Sequence, residues 1–196
     1  MSQKKYTRVR YKLDAQDVED LSIDEIRAIL RGADDLIMTG GRSLLTKILK
    51  GSRDKKLLGL ELNNSPVYGY YNHLTLAKIQ ARVDWVILNG YLALEYELSI
   101  PLLRYTQRGW EIERETVAKE LLQGFDEMLS NGQTEFNIIY LKDHPRDMIF
   151  ILLDLVKETD NKKYIPILEA WAEIDYTEVR KYIFAVIQHL NAHEHV

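Results

Sequence analysis

Cysteine is absent from this chain of 196 residues. That excludes disulfides, cysteine-based zinc sites and a thiol nucleophile. No apolar run approaches the roughly 20 residues a membrane-crossing helix needs. The opening Met1-Ser2-Gln3-Lys4-Lys5 carries no apolar segment of signal-peptide type, so the expectation is a cytoplasmic protein with no membrane partner. Nucleotide chemistry lacks its loop: Gly40-Gly41-Arg42-Ser43 does not end in Gly-Lys-Ser/Thr. Ser43 and Ser52 have no histidine at a catalytic spacing. Of five histidines, His73, His144, His189, His193 and His195, the last three sit with Glu194 in a tail that has no carboxylate box. Asp143, His144 and Asp147 read as helix-start residues around Pro145 rather than as an acid–base set. The expectation is a protein that is not an enzyme and carries no cofactor or metal.

What is present is enough apolar material for a packed core, 46% hydrophobic residues with 10% aromatics, and length for one domain or two small ones. Charge divides the chain. From Arg42 to Arg108 ten Lys/Arg stand against five Asp/Glu, net +5; from Glu111 to Val196 nine stand against seventeen, net −8. A basic part joined to an acidic part is a cue for a polyanion on one side.

The basic part carries the informative pattern. Leu44, Leu45, Ile48 and Leu49 recur at helical spacing, and Gly51 stands where a helix stops. Ser52 is then read as the cap of a new helix through Leu57, Leu58 and Leu62, with Asp54 in its first turn. Such a start, with Arg53, Lys55 and Lys56 around it, suits a backbone phosphate; it is equally a solvated helix start of any globular protein. Tyr68-Gly69-Tyr70-Tyr71 follows the loop at Asn63–Pro66, its tyrosines suited to a core or to stacking. Thr75 caps the next helix, with Ile79, Val83, Val86 and Ile87 as its stripe, Lys78 and Arg82 on another face, and Asn89-Gly90 as its end. The period then becomes two. Tyr91–Tyr96 and Leu102–Thr106 read as strands joined through Glu97–Pro101. Three helices and then a hairpin is the order of a winged helix.

Leu49-Lys50-Gly51-Ser52-Arg53-Asp54-Lys55-Lys56, Val67-Tyr68-Gly69, Ile87-Leu88-Asn89-Gly90-Tyr91-Leu92 and Arg104-Tyr105-Thr106-Gln107-Arg108-Gly109 resemble, in order and spacing, the RQC winged-helix domain of RecQ-type DNA helicases. The resemblance covers about residues 14–112. It implies binding of double-stranded or forked DNA. Ser52, Arg53, Lys55 and Lys56 match the phosphate-binding segment, with Tyr68 beside it. Lys78 and Arg82 lie on the matching recognition helix. The wing tip falls at Tyr96, Leu98 and Ile100, where an apolar wedge parts the last base pairs. The wedge itself, Leu98 and Ile100, lacks the aromatic often found there; Tyr96 stands just before it, and Glu95 and Glu97 flank it. The family's four-cysteine zinc module and an Asp-Glu-x-His motor box are missing from this sequence, so the resemblance is to the domain in a stand-alone form.

Elsewhere, Lys4–Lys12 is a basic leader, either strand-like or an arm along DNA. Ser22-Ile23-Asp24-Glu25 is a capping box opening a helix with Ile23, Ile26, Ile29 and Leu30 as its stripe. Thr39-Gly40-Gly41 is a turn. Glu113–Leu129 is an acidic helix striped by Val117, Leu121, Leu122, Phe125 and Leu129. The helix after Pro145 is apolar on more than one side, and two more helices open at Tyr164 and Asp175. Ile165-Pro166-Ile167-Leu168, Asp175 and Val179-Arg180 resemble one HEAT repeat, which in acidic form implies a protein partner.

The expected architecture is mainly α (α+β): a winged helix with a short β-hairpin wing over residues 1–112, then an acidic, HEAT-like α-helical module over 113–196. The expected function is non-enzymatic, structure-selective DNA binding, as an accessory factor in repair, replication or recombination, with nucleoid association. Two alternatives stand beside it: a protein-interaction scaffold, and a winged-helix transcription regulator, which needs base-edge donors such as Gln80 or Arg82 facing outward.

Overall fold

The computed structural model describes residues 12–97 and 100–192. Its backbone contacts divide the chain into two compact units, Met1–Glu113 and Arg114–Val196. The expected mainly helical fold with one small antiparallel sheet is observed.

The first unit holds α1 (Ile23–Ala33), α2 (Arg42–Lys50), a one-turn α3 (Lys55–Gly59), α4 (Leu76–Leu88) and the hairpin β1 (Leu92–Glu97) and β2 (Ile100–Tyr105). The capping box at Ser22 and Glu25 forms in both directions. Of the α1 stripe, Ile26, Ile29 and Leu30 are buried, but Ile23 is 47% exposed: as the first helical residue it precedes the turn that faces the core. Those side chains meet Leu45, Ile48 and Leu49 of α2, Leu57 of α3, Ile79, Val83 and Val86 of α4, and Leu92 and Leu103 of the hairpin in one core.

Residues 12–21 are not helical, yet they are held firmly. Leu13, Ala15 and Val18 pack against the core. The Asp14 N–H donates to Asp84 (3.0 Å), and Trp85 Nε1 donates to the Glu19 carbonyl (3.2 Å). Asp84 lies on the inner side of α4, 1% exposed, where Arg42 of α2 pairs with it. A buried carboxylate persists only when its charge is met in this way.

The hairpin is longer and tighter than its sequence suggests. Pairing runs from Leu92↔Tyr105 to Glu97↔Ile100, so only Leu98 and Ser99 join the strands, and both lie outside the described residues. Pro101 therefore sits inside β2 opposite Tyr96, not in the connection. On the other edge of β2, the Met38 N–H donates to the Leu103 carbonyl (2.9 Å) and the Leu103 N–H to the Gly40 carbonyl (2.8 Å). The turn at Thr39–Gly41 is thereby tied to the hairpin.

α5 (Gln107–Ser130) begins six residues ahead of the expected Glu113. Thr106 explains the early start: its hydroxyl accepts from the Gly109 N–H (3.1 Å) and donates toward the carbonyls of Gly90 (2.7 Å) and Tyr91 (3.0 Å). In the second unit, α6 (Arg146–Glu158), α7 (Ile165–Ile174) and α8 (Thr177–Ala192) follow. Pro145 stands just before α6 rather than as its first residue. α6 buries Met148, Ile149, Leu152, Leu153 and Val156, half-buries Phe150, Ile151 and Leu155, and exposes Asp154, Lys157 and Glu158. α7 and α8 form a helical hairpin whose turn is held by Asp175, which accepts from Trp171 Nε1 (2.6 Å) and the Tyr176 N–H (2.6 Å). Among the described residues no helix is long and apolar enough to cross a membrane.

Candidate nucleic-acid interface

The site is built on the end of α2. Gly51 takes a left-handed conformation, φ 73°, and its N–H returns to the Ile48 carbonyl (2.9 Å), while Ser52 N–H reaches Lys47 (3.0 Å). This is the closing geometry that favours glycine. The second glycine meets it there. Gly69, at φ 78°, donates to the same Ile48 carbonyl (2.9 Å), and the Tyr71 N–H to that of Leu49 (2.8 Å). A Cβ on Gly51 would lie 3.0 Å from Gly69 Cα. The tyrosine before Gly69 completes the staple: Tyr68 Oη donates to the Ser52 carbonyl (3.0 Å). Lys50 donates to the Leu74 carbonyl (2.8 Å) and to that of Asn72. The two motifs, separated in sequence, are one backbone junction.

Ser52 does not cap the next helix. Asp54 does: its carboxylate accepts from the N–H groups of Lys56 (3.0 Å) and Leu57 (3.4 Å) and pairs with Lys47 Nζ (2.9 Å). The Ser52 hydroxyl instead accepts from the Asp54 N–H (3.3 Å). An aspartate two residues on competes better because its charge is favoured at a helix start. Lys47 and the Leu57 N–H hold the Asp54 carboxyl below the usual carboxylate range. Leu62 also falls outside this helix, which ends at Gly59; Glu61 turns to φ 56° and Leu62 opens a 3-10 turn. What the junction presents is Arg53, Lys55 and Lys56, all exposed and without an ion-pair partner among the described residues. The one acid in their midst is already engaged.

α4 behaves differently. Thr75 caps it, as the spacing predicts. Lys78 is exposed, but Arg82 is half-buried and committed: Nε lies 3.5 Å from Glu25 Oε1, the guanidinium lies 5.6 Å from the Tyr71 ring centroid, and an NH group donates to the Lys78 carbonyl (3.2 Å). Burial works against ionisation of Glu25, but hydrogen bonds from Ser22 and Tyr71 and the Arg82 charge outweigh it and hold its carboxyl below the usual range. Asp17, Glu19 and Asp20 line a cleft with Lys78 and Arg82. The outer side of α4 is therefore edged with acid, and of its two sequence-predicted cations only Lys78 is at the surface.

At the wing, Tyr96 is half-buried opposite Pro101, and Ile100 is 61% exposed. Leu98 lies outside the described residues, as do Lys4–Tyr11 of the basic leader and His193, Glu194 and His195. Arg104 reaches across to Glu95 (3.1 Å), so one of the two flanking carboxylates is neutralised; Glu97 is exposed. The base of the wing is a clasp that sequence reasoning missed. Arg108 stacks on the Tyr91 ring (3.9 Å to its centroid), donates to Tyr91 Oη (2.6 Å) and to the Asn89 carbonyl (3.1 Å). A Cβ on Gly109 would sit 2.0 Å from the Tyr91 carbonyl oxygen. Asn-Gly-Tyr and Thr-Gln-Arg-Gly thus hold one another, and Arg108 is spent on the fold. The signal was in the sequence as two weak motifs; only their pairing was hidden. Among the described residues no group of three or more His, Asp or Glu is placed to hold a metal.

A family model described as the RQC domain matches residues 15–123, more than half of the chain. No curated protein and no solved structure matches it.

Proposed function

The chain belongs to the RQC domain family, the DNA-binding winged helix of RecQ helicases, and from that premise we propose that it binds duplex DNA, without catalysing a reaction of its own, through the phosphate contacts of Arg53, Lys55 and Lys56. One observation carries the reading: three exposed cations are mounted on a doubly stapled glycine junction whose only acid, Asp54, is neutralised by Lys47. Cations held on a fixed backbone lose little order when they meet a phosphate row, and such contacts position a protein without reading sequence. Lys78 adds one more contact from α4, while Arg82 is occupied with Glu25. The hairpin, with Ile100 at its outer end, is directed at a duplex end or fork. Forked DNA is the preferred substrate in this reading, and repair, replication or recombination its setting.

A transcription regulator finds less support, because Arg82 is committed and Gln80 is half-buried. The scaffold reading is favoured by the acidic edge of α4. The two leading readings separate in one assay: fluorescence anisotropy with blunt duplex, forked duplex and single strand at 50 mM salt. DNA binding predicts a saturable signal on both duplexes, strongest on the fork; no signal on any of the three leaves the scaffold.

A further inference from the structure

The second unit carries a small basic pocket that the DNA reading does not use. Its floor is apolar, Leu141, Ile149 and Val179, all buried. Around it stand Lys142, His144 and Arg146, from the 3-10 turn Ile139–Asp143 and the start of α6, and Tyr176 from the α7–α8 turn. The Lys142 ammonium lies 4.9 Å from the Tyr176 ring centroid, and that ring is 64% exposed. Arg146 is exposed and has no ion-pair partner among the described residues. The one carboxylate in the lining, Asp175, is committed to Trp171 Nε1 and the Tyr176 N–H and is 6% exposed. The cavity measures about 160 Å³, room for one side-chain head group and too small for a nucleotide.

We propose that this pocket receives a carboxylate side chain from an acidic peptide segment of a partner protein, gripped by Lys142 and Arg146 with its aliphatic stem on Ile149 and the Tyr176 ring. Charge decides between peptide and nucleic acid. Residues 114–196 carry nine Lys/Arg against fifteen Asp/Glu, net −6. A nucleic acid, with a charge about every 1.7 Å of duplex axis, has to lay many phosphates over that repulsive surface. A peptide has only to place one carboxylate in the basic spot. The proposal is independent of DNA binding by the first unit.

The test uses the full ¹⁵N-labelled chain titrated with acetyl-Glu-Asp-Glu-Asp-amide, and in parallel with inorganic phosphate and decathymidylate. The peptide is expected to shift the amide signals of Lys142, His144, Arg146 and Tyr176. Lys142→Ala/Arg146→Ala should weaken it about tenfold, as expected for two charge contacts at the surface, one half-buried and one exposed. Arg146→Gln alone, at an exposed side chain that the fold does not use, should weaken it about threefold with unchanged melting temperature. Absence of shifts, shifts undiminished in both variants, or tighter binding of phosphate or decathymidylate than of the peptide as read at these four amides overturns the proposal; decathymidylate shifts confined to the first unit do not bear on it.

Discussion

At the residue scale, the DNA reading rests on a division between cations that hold the fold and cations that are left over. Lys47, Lys50, Arg42 and Arg108 each hold a carboxylate, a carbonyl or a ring. Arg53 and Lys56 do not. Arg53→Ala/Lys56→Ala should therefore weaken blunt, forked and single-stranded binding by a similar factor and lower the steepness of the salt dependence by about 2, at unchanged stability. Asp54 sets a pH limit. Its carboxyl is depressed in the fold by Lys47 first and the Leu57 N–H next. Its contribution is complete above the ordinary aspartate range and is lost as pH falls through the lower, folded value. A fall in the protection factors of the Lys56 and Leu57 amides on acidification, taken against the intrinsic exchange rate at each pH, should report that loss. Asp54→Asn, which keeps a capping side chain but not the charge, should abolish the pH dependence. Gly51→Ala meets both a left-handed backbone and Gly69 Cα at 3.0 Å. It should destabilise by about 1–3 kcal/mol in urea unfolding.

At the element scale, the helices with a clean apolar stripe and a cap were legible: α1, α2 and α4 fall where Ser22, Gly51 and Thr75 place them. The RQC resemblance was legible too, because its motifs are backbone junctions that admit few residues. What stayed hidden depended on partners distant in sequence. Nothing near Ser52 says that Lys47 will favour Asp54 as the cap, and nothing near Arg82 says that Glu25, 57 positions earlier, will claim it. The hairpin was misjudged because Pro101 looks like a strand terminator; paired opposite Tyr96 on a two-stranded ribbon, it has no obligatory donor to lose. The wing's function can be isolated by Ile100→Ser. The apolar end should be lost without touching phosphate contacts, so the ratio of fork to blunt affinity should fall toward one while blunt binding stays. A retained ratio removes the wedge from the account.

At the scale of the whole molecule, a chain of net charge −4 is expected to bind a polyanion only through a local excess of positive charge. With about four to six phosphates neutralised, log K should fall against log salt with a slope of roughly −4 to −5. A flat response to salt argues for a protein partner instead. The glycine junction has one further consequence, for how such chains change in length. Gly51 and Gly69 touch, and Tyr68 ties down Ser52, so the segment between them is a loop with its two ends fastened together. Once the ends are fastened, extra residues at the exposed Asn63-Asn64 add little closure entropy, about 0.6 kcal/mol even for a doubled loop. They leave Arg53, Lys55 and Lys56 on the stapled side. Length variation among relatives should therefore accumulate between the Lys-Gly-Ser-Arg and Tyr-Gly segments, and a fluorescent reporter spliced in at Asn63-Asn64 should travel with the protein onto DNA without weakening its grip.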